Sequence, residues 1–240
     1  MTMERMPESP PVVGVAPTEP DAAARALRAQ LLATEHWSLL ASRSLSWNES
    51  FARASMFLTM LSGATVALAL VAQATHFGSE FGVFALLLLP VVLFMGIATF
   101  VRLVDVNNED LRWVVGINRL RSAYLDLDPG LAEYFITGWT EDVDGLMRSF
   151  GARSSKYGAL HGLVTTPAAI GLVSCTLAGV TSAILVVQLG APMVPAAATG
   201  AVAFVVTFAA LARLQYLSLA ATGLGFFGAD PLQSGSPPPG

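Results

Sequence analysis

Two uncharged stretches constrain this chain more than anything else in it. Met56 to Gln73 reads MFLTMLSGATVALALVAQ, with no charged residue. Gly82 to Val104 reads GVFALLLLPVVLFMGIATFVRLV, with Arg102 as its single charge near the far end. A hydrocarbon core of about 30 Å is crossed by about 20 apolar residues in an α-helix. Each stretch therefore suffices for one crossing. The eight residues between them, Ala74–Phe81, leave room only for a turn, so the pair is expected to form a transmembrane hairpin.

A second pair follows, at roughly Gly162–Gln188 and Met193–Ala212, joined by the tight turn Leu189–Pro192. Charged residues make up 12% of the chain, where a soluble domain carries roughly 25%. The expected fold is an all-α polytopic membrane protein with four transmembrane helices, arranged as two hairpins with long cytoplasmic helical extensions.

The chain divides accordingly. Residues 1–20 hold five prolines and no apolar run of signal length, and read as a disordered cytoplasmic tail. Residues 21–55 lack Gly and Pro, are rich in Ala, Leu and Arg, and read as a cytoplasmic helix entering the first span. Leu32, Leu39 or Leu40, Trp47, Phe51 and Leu58 give it one rough apolar face. A break near Ser44–Asn48 is compatible with the Ser and Asn content there.

Residues 56–104 are the first hairpin, with Pro90 expected to kink its second helix. Residues 105–160 form a cytoplasmic helical segment, in which Asp105, Glu109 and Arg112 are spaced for mutual pairing. Short helices are expected at Leu131–Ile136 and Glu141–Phe150, with Ser154–Ser155 as a cap for the next span. Residues 161–213 are the second hairpin, and 214–240 an interfacial segment and disordered tail.

Charge sets the orientation. All 13 Lys and Arg residues lie on one side of the four-span arrangement, and neither hairpin turn holds any. The positive-inside rule then makes both termini and the central segment cytoplasmic. The net charge of −4 speaks against a nucleic-acid partner. The lone Cys175 excludes an intramolecular disulfide.

Candidate functional residues are few. Gly171, Cys175, Gly179 and Ala183 recur at intervals of four and form a small-residue ridge for helix packing, within one chain or between chains. No Asp, Glu, Lys, Arg or His lies in mid-span, which counts against proton-coupled pumps and charge-moving sensors. The span hydroxyls include Ser62, Thr65, Thr181 and Ser182. They either line a narrow pore in an oligomer or bond back to their own helices. Asn107, Asn108, Glu109 and Asp110 form a polar cluster whose consecutive positions point in four directions, which suits a solvated or ion-paired face better than a cation site. No nucleotide-binding, catalytic-elbow or zinc motif is present, so no catalytic, cofactor or metal residues are expected, and no enzyme.

The stretches LLATEHWSLLASRSLSWNESFARASMFLTMLSGATVALALVAQ and RLVDVNNEDLRWVVGINRLRSAYLDLDPGLAEYF resemble uncharacterised integral membrane proteins of GC-rich bacteria, a likeness that implies no activity. In layout, a long helix, hairpin and following helix resemble the SLATT-type two-span effectors, which are thought to form pores in bacterial defence; those have one hairpin and this chain has two. The functional expectation is a non-enzymatic inner-membrane protein that assembles as a homo-oligomer and forms a pore. The alternative is a membrane scaffold or signalling adaptor binding a cytoplasmic protein partner, with exposed Trp37 and Trp139 as anchors. A small-substrate transporter is third.

Overall fold

The computed structural model describes residues 19–151 and 165–223, and among them every regular element is helical. The expected N-terminal tail, the Ser154–Ser155 cap, the Gly162 start of the third span and the C-terminal tail lie outside the described residues. Helix α1 runs Glu19–Thr75 and α2 runs Ser79–Leu127. A 3-10 turn at Pro129–Tyr134 and the short α3, Val143–Ser149, follow. Helix α4 spans Thr166–Gln188 and α5 spans Met193–Ala220. The four long helices are each long and apolar enough to cross a membrane.

Helix α1 is unbroken through Ser44–Asn48, and α2 is continuous through Pro90. At 1.5 Å per residue α1 is about 85 Å long, far more than one crossing needs. It lies against α2 as an antiparallel partner. His36 stacks on Tyr124, Trp47 bonds Asp110, and the Phe57 ring lies over Gly96, so numbers rise along one helix as they fall along the other.

The contact follows steps of three and four residues. On α1 the stripe takes Ala33, His36, Leu40, Arg43, Trp47, Ser50, Ala54, Phe57, Leu61, Ala64 and Leu68; on α2 the buried stripe takes Ala85, Leu89, Val92, Gly96, Thr99, Leu103, Val106 and Asp110, while Gly82 faces Gln188 of α4. This is the seven-residue period of a left-handed coiled coil. Phe51 and Leu58, placed on the apolar face by helical spacing, are instead exposed, because the packed stripe follows 3.5 residues per turn and runs past them.

Helix α2 also packs on α4, and α4 on α5. Their shared core is Phe57, Leu89, Val92, Phe100, Ile170 and Leu211 with small residues between. Two close approaches set the spacing. Gly96 faces Ser174 and the Phe57 ring, where an added Cβ would stand 2.5 Å from the Ser174 Oγ. Gly179 of α4 faces Gly200 of α5 backbone to backbone, with an added Cβ 2.9 Å from the Gly200 carbonyl oxygen.

The turns are short. His76 and Phe77 connect α1 to α2 with φ of 52° and 59°. Gly190, with φ 87°, ends α4 in the left-handed conformation that glycine adopts freely. Helix α5 continues past Arg213, which is exposed, to Ala220, so the segment expected at the interface begins as helix. The helix expected at Leu131–Ile136 is a six-residue 3-10 turn that begins two residues earlier, and the one expected at Glu141–Phe150 is the shorter, seven-residue α3.

Candidate functional site

Where α1 and α2 leave their uncharged stretches, the coiled-coil core turns polar. Arg43 donates from Nε to Asp110 at 2.7 Å and from Nη2 at 3.3 Å, and Trp47 Nε1 donates to the same carboxylate at 3.2 Å. The Asp110 side chain is 9% exposed and that of Arg43 is 29% exposed. The Arg43 guanidinium also lies over the Phe150 ring, 5.7 Å from its centroid, joining the end of α3 to this point.

About two turns nearer the uncharged stretches, Glu49 accepts from Arg53 at 2.8 Å and from Arg102 at 2.9 and 3.0 Å. The Arg102 hydrogen bonds foremost, then Arg53, hold the Glu49 carboxyl down to about 2. Arg102 also donates to Glu109 at 3.2 Å. Glu109 therefore pairs with Arg102, while Arg112, its expected partner, is exposed. The choice follows from α1: Glu49 draws Arg102 across the pair, and Glu109 lies two turns along the same stripe.

The four consecutive polar residues separate as their helical positions require. Asn107 is exposed, Asn108 donates to Ser218 of α5 at 2.6 Å, Glu109 meets Arg102, and Asp110 meets Arg43. Among the described residues, no three His, Cys, Asp or Glu side chains stand together in a group that could hold a metal ion.

Further along α2, Asn118 is fully buried and holds the following segment in place. Its amide donates to the Thr140 carbonyl at 3.0 Å, and its oxygen accepts from Ser149 at 2.9 Å and Arg121 at 3.2 Å. Burial and then the Arg121 charge push the neighbouring His36 imidazole below its ordinary value.

A cavity of about 250 Å³ opens beside Asp110, between α1, α2 and the start of α4. Trp47, Phe51, Leu103 and Pro167 give it apolar walls, and Ser46, Ser50, Asn107 and Thr166 give it polar ones.

The hydroxyls singled out for a pore do not share a lumen within the chain. Ser62 and Thr65 sit on the exposed side of α1, and Thr181 and Ser182 on α4, half-buried. Ser62 donates to the Leu58 carbonyl, Thr65 to Leu61 and Thr181 to Leu177, each on its own helix. Of the ridge residues, Gly171 lies against Phe100, Cys175 is buried, Gly179 meets Gly200, and Ala183 lies beside Gly200. Trp37 is 73% exposed and Trp139 half-buried.

The Arg43–Asp110 pair, Arg102 and the buried Asn118 did not stand out in the sequence. The signal that points to the first two is the seven-residue step through Arg43, Ser50 and Phe57, which places a charge in a packed stripe. Fold and site define an all-helical protein with four helices fit to cross a membrane and a paired-helix stalk beyond them. Comparison with protein families, with curated proteins and with solved structures finds no match for the chain.

Proposed function

We propose that this chain is a non-enzymatic membrane scaffold. It crosses the inner membrane as two hairpins, with both termini cytoplasmic, and holds the α1/α2 stalk rigidly in the cytoplasm for a protein partner. The observation that carries this reading is the stalk itself: a packed helix pair, pinned by the buried Asp110, that presents Tyr134 and Ile136, 70% and 98% exposed, just past the end of α2. Large apolar side chains exposed to water are a surface awaiting a partner. The hydroxyls bonded to their own helices favour the scaffold over a passage through a single chain.

The pore reading keeps one specific support. Ser55, Thr59, Ser62 and Thr65 form an exposed hydroxyl row on α1, which several copies would bring together. Ion flux through the purified chain in sealed liposomes separates the two. The scaffold reading expects no flux from folded protein, and no change in Ser62→Leu or Thr65→Leu. Flux lost in those two variants would overturn it in favour of the pore.

A further inference from the structure

The side of α1 turned away from α2 carries a second seven-residue pattern. Its core positions are 27, 31, 34, 38, 41, 45, 48, 52, 55, 59, 62 and 66, and all twelve are exposed. Leu27, Leu31, Leu45 and Val66 occupy the apolar ones. Trp37, Phe51 and Met56 stand on the flanking positions of the same face. Of the ten exposed large hydrophobics on α1, only Trp47 falls outside it. Exposure at this spacing follows from α2 covering the other side; what marks the face is that Leu27, Leu31, Trp37 and Leu45 stand on it beyond the uncharged stretch, where uncovered apolar side chains call for a partner.

We infer that this face binds the same face of a second copy of the chain, in parallel and in register. The inference rests on the membrane-inserted reading above, since two copies inserted alike can meet only in parallel. The face runs about 59 Å, through a charged half and an uncharged half. Its occupant needs the same division of water-facing and lipid-facing length, and a second α1 has it residue for residue.

The charges agree. In a parallel pair each flanking residue meets the one five positions on in the copy, which sets Ala23 against Arg28, Gln30 against Glu35 and Ser44 against Glu49. No like charges oppose. Asn48 meets Asn48 of the copy, the kind of core polar pair that fixes register. At the boundary Ser55, Thr59 and Ser62 are small enough for close backbone approach in lipid.

The test is oxidative crosslinking in native membranes, in a Cys175→Ala background carrying one cysteine at a time. Ala41→Cys is expected to yield a species of twice the chain mass. Ser122→Cys, exposed on α2, is expected to yield at least tenfold less. Leu31→Glu with Leu45→Glu should cut the Ala41→Cys yield at least tenfold, with helix content unchanged. Ser55→Cys reads the same pairing without touching the stalk leucines. Inserted, helical protein that stays single at both Ala41→Cys and Ser55→Cys overturns the inference and leaves the scaffold reading standing. So does an adduct whose mass is not twice the chain. Release of the chain from membranes by alkaline wash overturns insertion, and the parallel pair with it.

Discussion

Removing either partner of the Arg43–Asp110 pair should destabilise the stalk, but unequally. The carboxylate is the buried member at 9% side-chain exposure, and the guanidinium at 29% retains a path to water. Arg43→Met keeps the alkyl stem and leaves a buried charge with only the Trp47 N–H. Breaking a fully buried pair costs about 3–5 kcal/mol. The partial exposure of Arg43 reduces this, so about 3 kcal/mol is expected. Asp110→Ala leaves an arginine that rehydrates and a Trp47 that is 45% exposed, whose N–H finds water. Two charge-assisted bonds are lost and both donors are resolvated, which sets the cost at about 1.5 kcal/mol. The double variant should cost about 1–2 kcal/mol less than the sum of the two. Arg53→Ala, on the exposed side of Glu49, serves as control at about 0.5 kcal/mol or less. Equilibrium unfolding in detergent, followed by helix content and by tryptophan emission, measures all four. Asp110→Ala costing more than Arg43→Met, or both matching Arg53→Ala, would refute the assignment of Asp110 as the buried member.

Gly179→Val should lower stability by about 3 kcal/mol in thermal unfolding, because its Cβ meets the Gly200 backbone, which cannot swing aside; Gly63→Ala, with nothing within 4 Å, should raise stability by about 0.5–1 kcal/mol. Asn118→Ala strips partners from Thr140, Ser149 and Arg121 at once and should cost about 2–3 kcal/mol, seen as rapid proteolysis within residues 129–150 while α1 and α2 stay protected. Several groups set acid sensitivity: Glu141, held low by Arg119, and Asp142, held low by Thr140 and the Gly145 N–H, act in the carboxylate range, and His36 and Glu49 bracket the loss. His36 is held below 6.5, so its contribution is whole above that pH and shrinks as pH falls below it; Glu49, held at about 2 against 4.5, contributes fully above 4.5 and loses this as pH falls toward 2. Pulse proteolysis from pH 7 to 3 should show His36→Gln flattening the upper part of the loss and Glu49→Gln the lower part.

The apolar helices were legible because lipid leaves no alternative: about 20 uncharged residues in a row have one economical use in a chain this apolar. The turn at Leu189–Pro192 was legible because Gly190 offers the left-handed residue that a helix end needs. The stalk was harder. Its core positions hold His36, Arg43 and Ser50, so the packed stripe does not read as apolar, and Phe51 and Leu58 mislead by being apolar and uncovered. The continuity of α1 through Ser44–Asn48 rests on α2, since Arg43 just before it and Trp47 within it are both fixed to Asp110. The pairing of Glu109 with Arg102 depends on Glu49, more than fifty residues earlier; the seven-residue spacing within α2 allows it but does not prefer it to Arg112.

The two faces of α1 decide what its hydroxyl row can be. In a pair, Ser55 and Ser62 each meet the same residue of the copy across a closed seam, and there is no lumen. In a ring of five or more copies the same positions would line the centre and stand apart from their counterparts. A disulfide needs Cα atoms about 4.4–6.8 Å apart. Ser55→Cys and Ser62→Cys should therefore both crosslink directly in a pair, and neither should in a ring, where only a long bifunctional reagent reaches across. Direct crosslinking at Ser62→Cys together with ion flux would mean that the passage, if built from this chain, runs elsewhere than along α1. Direct crosslinking without flux makes the serines and threonines adhesive between copies, and leaves the stalk as the part of the molecule that meets other proteins.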